Sequence, residues 1–211
     1  MGRPAVINRQ KVAQAALRLI DEEGLDALSI ERIATELGVR GPSLYHHFPD
    51  KAAILEEVAR LVLGDLDLRR KVESWQRWMV ENGLTFYRRV LEHPRAAAIL
   101  MQFLPDSSAV RGLALTAKML TEAGIDPTVQ ALLMEGCEKL VWGWSLQRAF
   151  MAVDGKLVLS QARINGRWPE LAKAVEGRDR RWKDEEMLEA ALYAFIDGVV
   201  AKQTSVTVPR Q

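Results

Sequence analysis

Cysteine is almost absent from this sequence, since Cys137 is the only one among 211 residues. A single thiol cannot form a disulfide within the chain, which excludes a disulfide-stabilised fold and favours a reducing compartment. Cys137 falls in an apolar helical stretch, and this position favours a small buried side chain over a redox sensor.

Long apolar runs are absent as well. No stretch of about 18 consecutive uncharged apolar residues occurs, so we expect no transmembrane helix and no membrane partner. The opening MGRPAVINRQ contains no apolar core of the kind that a secretory signal needs. Together these absences predict a cytoplasmic protein.

An excess of charge of either sign is missing too. The 29 basic and 28 acidic residues leave a net charge of +1. Any affinity for nucleic acid must therefore come from the local placement of charge.

The motifs of common catalytic sites are also missing. The sequence contains no glycine-rich phosphate loop, no nucleophile elbow, no metal-ligand spacing and no pair of catalytic carboxylates. The adjacent acids Asp21, Glu22 and Glu23, and likewise Glu185 and Glu186, are interpreted as solvated helix faces or caps. A helical enzyme is thus the weaker alternative, and we expect no catalytic residue, no cofactor and no metal.

Helical periodicity, by contrast, is present along nearly the whole chain, and no convincing strand pattern interrupts it. The pattern predicts an all-α protein with an N-terminal three-helix head at 1–51, a connecting helix at about 50–68 and a larger helical body at 69–211. Capping and breaking residues place the helices at 8–23, 30–37, 42–47, 50–68, 74–92, 95–104, 107–123, 127–153, 160–176 and 184–202. A loop is expected within 166–183, which contains Pro169, Gly177 and the charged run 178–181.

The first three helices have the spacing of a helix-turn-helix. Asn8 and Ser29 are predicted N-caps, as is Asp50 for the fourth helix. Gly38 ends the second helix, and Pro42 suits the first position of the third. Between the second and third helices lies a tight turn around glycine, the arrangement that places a short helix against DNA. A generic helical bundle without nucleic acid is the alternative.

Polar residues face outward from this turn and the third helix. The outward residues are Arg40, Gly41, Ser43, Tyr45, His46 and His47. The hydroxyl, imidazole and guanidinium groups among them suit phosphates and base edges. Lys51 adds a cation at the start of the fourth helix, where a phosphate is also attracted. A zinc site at the adjacent histidines is disfavoured, because their side chains point about 100° apart and no further ligand has the required spacing. Gly2, Arg3 and Pro4 are either a minor-groove arm or a disordered tail.

The stretch LSIERIATELGVRGPSLYHHFPDKAAIL, residues 28–55, resembles the TetR family of bacterial repressors. The resemblance implies that 42–47 is the recognition helix, that Ser43, Tyr45 and Lys51 contact the DNA backbone, and that the partner is a double-stranded DNA operator. Relatives often carry a base-reading residue where this chain has Glu31. A carboxylate there can accept a hydrogen bond from cytosine N4 but repels phosphate, so the operator sequence stays open.

A weaker resemblance covers the remainder. Residues 168–171 and 194–199 look like the C-terminal domain of the tetracycline repressors. Those repressors use a histidine to hold a drug-bound Mg²⁺, whereas the predicted body contains only His93. We therefore expect an effector other than the magnesium–drug complex.

Small residues on two long helices suggest a close helix–helix contact. In relatives the matching helices form the dimer interface, which here comprises Gly136, Leu140, Gly143, Gln147, Ala190, Ala194 and Gly198. A homodimer would present two heads to a palindromic operator. The alternative is that these small residues pack within one chain.

Large apolar side chains in the body suggest a cavity for a small apolar effector. Methionine and aromatic residues make adaptable linings, and the candidates are Met79, Phe86, Met101, Phe103, Leu104, Leu115, Met119, Met134, Trp142 and Phe150. Trp75 and Trp78 are candidates for covering its mouth. Ordinary core packing is the alternative for all of them, and the function would then be that of a ligand-independent DNA-binding protein of the same fold.

Overall fold

A computed structural model of the chain describes residues 8–64, 73–103, 106–155 and 168–203. Over these ranges it contains ten α-helices, two single 3-10 turns and no strand, which confirms the all-α fold. None of the described helices is both long enough and apolar enough to span a membrane.

The helices are α1 (Arg9–Glu23), α2 (Ile30–Glu36), α3 (Gly41–Tyr45), α4 (Lys51–Leu63), α5 (Trp75–Glu92), α6 (Ala97–Gln102), α7 (Asp106–Glu122), α8 (Pro127–Asp154), α9 (Pro169–Arg181) and α10 (Asp184–Gln203). The 3-10 turns are Leu25–Ala27, between α1 and α2, and Pro94–Ala96, just before α6.

Side-chain caps define where the first helices begin. Asn8, Ser29 and Asp50 each accept a hydrogen bond from the backbone N–H three residues later, at 2.8, 3.1 and 2.8 Å. These bonds satisfy donors that the first turn of a helix leaves without a partner. Gly38, just after α2, has a φ of 66°, as expected for a glycine that ends a helix. The predicted caps and this stop are confirmed.

The boundaries of α4 and α3 differ from the prediction. Helix α4 ends at Leu63 rather than near 68, because Gly64 adopts a φ of 63° and its N–H bonds to the carbonyl of Arg60. Helix α3 is shorter than predicted, and Pro42 lies in its second position because the helix begins at Gly41. Residues 65–68 lie outside the described part of the chain.

The prediction of a loop within 166–183 is wrong for the second half of that range, because α9 continues to Arg181. Pro169 starts α9, and the basic residues of the charged run lie at its carbonyl end, where cations are favourable. An ion pair of 3.1 Å between Arg180 and Glu176 adds to this. The charges therefore stabilise a helix that Gly177 alone disfavours. Residues 160–167 of the predicted helix lie outside the described ranges.

Backbone packing divides the chain into two compact units. Unit 1 is Met1–Leu68 with Arg89–Gly112, and unit 2 is Arg69–Arg88 with Leu113–Gln211. Segment 89–112 therefore packs with the predicted head, whereas the sequence prediction assigned it to the body. The domain boundaries at 51 and 69 remain a prediction.

Unit 1 is organised around α1, which packs against α2, α4 and the turn at 94–96. Its apolar stripe is buried, at Val12, Ala15, Ala16, Leu19 and Ile20. From the neighbouring elements the core receives Ile33, Leu44, Phe48, Ile54 and Val58, all nearly inaccessible. Burial of these side chains supplies most of the stability of such a unit.

A polar cluster joins the end of α1 to the turn at 94–96 within unit 1. Nδ1 of His93 lies 2.7 Å from Oδ2 of Asp21. The guanidinium of Arg95 donates to the carbonyls of Asp21, at 3.0 Å, and Glu22. Asp21 is thus a contact residue and not the solvated acid that the sequence suggested.

Unit 2 is built on the packing of α8 along α10. Its buried side chains include Leu133, Val141, Leu188, Leu192 and Ile196. Helix α5 comes close at Gly83, where an added Cβ would lie 2.7 Å from Cγ2 of Val141. The small residue at 83 therefore permits a close approach that larger side chains would prevent.

Candidate nucleic-acid interface

The turn between α2 and α3 is fixed by backbone hydrogen bonds. The N–H of Val39 donates to the carbonyl of Ala34 at 2.9 Å, and the N–H of Ser43 donates to that of Arg40 at 2.9 Å. Leu44 is 1% exposed and anchors α3 in the core, while Val39 is half-buried. This arrangement is a helix-turn-helix, with α3 in the position of the recognition helix.

The outward residues of this motif lie where the sequence predicted them. Arg40, Tyr45 and His46 are exposed, and Tyr45 shows 53% of its surface to solvent. Gly41, Ser43 and His47 are half-buried on the same short segment, and Glu31 is exposed in the first turn of α2. The segment therefore presents hydroxyl, imidazole and guanidinium donors on the surface of unit 1. Their contacts with DNA remain a prediction.

Lys51 has a structural role that the sequence did not indicate. Its Nζ donates to the carbonyl of Leu28 at 2.7 Å and is partly buried. The bond ties the start of α4 to the loop before α2. An ammonium group carries three donors, so two remain for the predicted phosphate contact.

Arg9 contacts the far end of the recognition segment. Its guanidinium donates to the carbonyl of His47 at 2.6 Å and lies over the ring of Phe48, 4.2 Å from the centroid. It also lies 3.4 Å from the carboxylate of Glu57 on α4. The sequence did not indicate this contact, because Arg9 and His47 are 38 residues apart and no local pattern links them.

Other arginines of unit 1 are paired with acids. Arg18 lies 3.2 Å from Glu36, and Arg32 pairs with Glu23. Such exposed pairs contribute little net charge to their surroundings. The positive potential around α3 therefore depends on a small number of other cations, of which Arg40 is exposed at the N-cap of the helix.

The sequence of this head matches a known protein family. Residues 13–58 match the family described as bacterial regulatory proteins, tetR family. This span includes α2, α3 and most of α1 and α4.

The head of the chain, over residues 13–58, belongs to the TetR family.

A similar TetR-family sequence is the tetracycline repressor protein class D of Escherichia coli. It is 32% identical over 123 residues, which cover 57% of this chain and 56% of that repressor. The chain thus spans little more than half the length of this relative.

Solved TetR-family structures share the fold over nearly the whole chain. A TetR variant from Acinetobacter baumannii AYE, in complex with minocycline, has a TM-score of 0.77 at 24% identity, and the match covers 97% of this chain and 99% of that one. ActR of Streptomyces coelicolor, in complex with (S)-DNPA, has a TM-score of 0.69 at 25% identity, over 95% and 99% of the two chains.

The structure brings together only some of the predicted pocket residues. Phe86 and Trp142 meet edge to face, with ring centroids 4.6 Å apart, and Met79 is buried on α5. Met101 and Phe150 are 64% and 53% exposed, so the structure places them on the surface and not in an interior lining. Phe103, Leu115, Met119 and Met134 are half-buried, and Leu104 lies outside the described ranges.

The sequence predicted that Trp75 and Trp78 cover the mouth of a pocket, and the two residues lie in different surroundings. Trp78 is 3% exposed, and its indole N–H donates to Oγ1 of Thr116 at 3.2 Å. The expectation that Trp78 covers a pocket mouth is therefore wrong, because it is a core residue that joins α5 to α7. Trp75 is half-buried.

The small residues predicted at a dimer interface divide into two groups. At Gly136 an added Cβ would lie 2.1 Å from Cζ of Phe195, so this glycine packs against its own chain. Gly143 and Gly198 have open space around them, and Ala194 and Gln147 are exposed. Leu140 and Ala190 are half-buried. The intrachain alternative thus accounts for Gly136, and an exposed group is left for a partner.

A partly buried polar contact joins α5 to α10 in unit 2. The hydroxyl of Tyr87 donates to Oδ2 of Asp184 at 2.6 Å, and Nε of Arg148 lies 3.5 Å from the same oxygen. Burial, followed by this hydrogen bond, raises the pKa of Tyr87 well above its ordinary value. The phenol therefore stays a neutral donor at neutral pH.

Cys137 is buried, and this burial raises the pKa of its thiol to about 12. Only the thiolate reacts readily with oxidants and metals, so the side chain acts as a small apolar group near neutral pH. Within the described ranges, no three metal-ligating side chains lie close enough to hold an ion.

Proposed function

We propose that this protein is a transcription repressor that binds a palindromic DNA operator as a homodimer and responds to a small apolar ligand. The observation that carries the proposal is the outward row on α3 and its preceding turn, where Arg40, Tyr45 and His46 are exposed while Leu44 holds the helix in the core. Burial of Leu44 fixes the orientation of the row, so its donors are presented as a unit.

The chemistry of the row suits double-stranded DNA. The recognition helix of a helix-turn-helix lies in the major groove, where its first residues reach base edges. Arg40 at the N-cap and Ser43 in the first turn occupy those positions, while the Tyr45 hydroxyl suits a phosphate. Glu31 on α2 suits an exposed cytosine amino group.

A homodimer is supported by an exposed stripe on α8. Leu132 and Phe150 are 54% and 53% exposed and stand about five helical turns apart on one face, with Gly143 between them on that face. On α10, Ala194 and Gly198 form a second exposed group of small residues. Apolar and small side chains in such stripes favour close helix packing against a second copy, which would present two heads to two half-sites.

A small-molecule effector is supported by the aromatic and methionine side chains of unit 2. The Phe86–Trp142 pair and the half-buried Met119 and Met134 offer adaptable apolar surface. Two of the solved structures that share the fold are complexes, one with minocycline and one with (S)-DNPA. A ligand acts by its different affinity for two states of the protein, and in this proposal only one of these states binds the operator.

Operator binding is tested by selecting DNA from a random duplex library with the wild-type protein. The selected sequences are expected to be two-fold symmetric, with two chains per duplex by sedimentation. Tyr45→Ala is expected to weaken binding to the selected duplex about tenfold, which corresponds to about 1.4 kcal/mol. Its thermal unfolding temperature should stay unchanged, because Tyr45 is exposed.

Trp168→Ala is the matched control, since it removes an exposed aromatic side chain from unit 2. It should leave affinity for the duplex unchanged. Failure to enrich any sequence would refute the operator, and one chain per duplex would refute the dimer.

Ligand response is tested by thermal unfolding with minocycline and with (S)-DNPA. A ligand at about 100 times its dissociation constant adds about 2.7 kcal/mol to the stability of the native state. The expected result is a raised unfolding temperature with at least one compound, together with a changed affinity for the selected duplex. Stabilisation by neither compound, with DNA binding unaffected, would favour the ligand-independent alternative.

A further inference from the structure

We propose that Arg9 is a positioning residue that fixes the carboxyl end of the recognition helix α3 and so controls how its side chains meet the bases. The inference rests on the proposed DNA-binding function. In this proposal α1 contributes to sequence discrimination without itself contacting DNA.

Three contacts hold the guanidinium of Arg9 in place. It donates to the carbonyl of His47 at 2.6 Å, lies 4.2 Å from the ring centroid of Phe48, and lies 3.4 Å from Oε2 of Glu57. His47 and Phe48 belong to the turn that follows α3, and Glu57 belongs to α4. A rigid, planar group with several donors can satisfy all three at once, which an ammonium cannot do.

The end of α3 needs such a contact because the helix is short. Gly41–Tyr45 is a single turn and a half, too short to be stable by its own hydrogen bonds. After the helix, the N–H groups of His47 and Phe48 both donate to the carbonyl of Leu44, each at 2.9 Å. The carbonyl of His47 takes no part in these bonds, and it accepts a hydrogen bond from Arg9 instead.

The surroundings of Arg9 favour positioning over direct contact with phosphate. The carboxylate of Glu57 lies beside its guanidinium and also pairs with Arg60. The Arg9 donors are already engaged by Glu57 and by the His47 carbonyl, so a phosphate would have to displace one of these contacts. Arg9 therefore acts through His47 and Phe48, and its loss should change which sequences are bound.

The experiment compares Arg9→Met and Arg9→Lys with wild type, on the selected duplex and on a scrambled duplex, over a range of salt concentrations. Arg9→Met is expected to weaken binding to the selected duplex about tenfold and binding to the scrambled duplex much less. The slope of log affinity against log salt should stay at the wild-type value. Arg9→Lys should reproduce most of this loss, since lysine keeps the charge but not the planar group.

A phosphate contact would give a different result. Each lost phosphate contact lowers the salt slope by about 0.9 and weakens binding to all sequences alike. That pattern in Arg9→Met, or full recovery in Arg9→Lys, would overturn the proposal. Arg18→Met, which removes an exposed cation from the same helix, is the control and should leave the ratio of the two affinities unchanged.

Two further readouts separate the ways in which the experiment can fail. Absence of DNA binding by the wild type would refute the proposed function and not the role of Arg9 alone. Amide NMR signals of Tyr45–Phe48 should shift in Arg9→Lys without DNA, while those of α5 stay in place. Unchanged signals at the end of α3 would overturn the proposal even if Arg9→Met fails to fold.

Discussion

Replacing Phe48 by alanine is expected to destabilise the head by about 3–5 kcal/mol and to abolish operator binding. Phe48 is 1% exposed, and its ring packs in the core formed with α1 and is covered by the guanidinium of Arg9. Alanine would leave a cavity in a small core and remove the cation–π contact. The recognition helix ends only a few residues before Phe48, so its orientation would be lost as well.

Urea unfolding followed by circular dichroism measures the loss of stability, and binding to the selected duplex measures the loss of function. Tyr45→Ala is the matched control, because Tyr45 is an aromatic residue three positions earlier with 53% of its surface exposed. It should lose affinity without losing stability. Phe48→Leu should fall between wild type and Phe48→Ala, since most of the volume is kept. Equal stability of wild type and Phe48→Ala would show that the ring does not support the head.

Gly136→Val is expected to disrupt the packing of α8 on α10 and to destabilise unit 2 by about 1–3 kcal/mol. A Cβ at this position would lie 2.1 Å from Cζ and 2.6 Å from Cε1 of Phe195. Overpacking commonly costs about 1–3 kcal/mol. Phe195 is half-buried, so its ring would have to turn away from the new side chain. Gly136→Ala should show a smaller loss, because alanine gains about 1 kcal/mol of helix propensity over glycine.

Thermal and urea unfolding of both variants test this expectation. Gly177→Ala is the control, since Gly177 also lies inside a helix of unit 2 but has nothing within 4 Å of an added Cβ. It should be neutral or slightly stabilising. Adding Phe195→Leu to Gly136→Ala should recover part of the loss, and such coupling is the signature of direct contact. If Gly136→Ala proves as stable as Gly177→Ala, the ring does not occupy the place that the structure gives it.

Short-range patterns were enough to predict much of the head. The caps at Asn8, Ser29 and Asp50 depend on a side chain and an N–H three residues away, and the stop at Gly38 depends on one backbone angle. The burial of Leu44 and the exposure of Tyr45 follow from helical spacing. The family resemblance, carried by the same segment, is confirmed by the match over 13–58.

The body was harder to predict because its helices α8 and α10 are apolar around most of their circumference. Periodicity then does not indicate which face meets its own chain and which remains exposed. It grouped Gly136 with Gly143, whereas the structure packs the first against Phe195 and leaves the second open. It likewise placed Phe150 in a pocket, although that side chain is exposed.

The sequence by itself determined the all-α fold, the helix-turn-helix and the row of outward polar residues on α3, because each depends on interactions within a few residues. Only the tertiary structure decided that Arg9 reaches His47, that Lys51 binds the carbonyl of Leu28, and that Gly136 receives the ring of Phe195. These partners are separated by 23 to 59 positions in the chain. Contacts over such separations depend on how whole helices pack, which no local pattern of residues specifies.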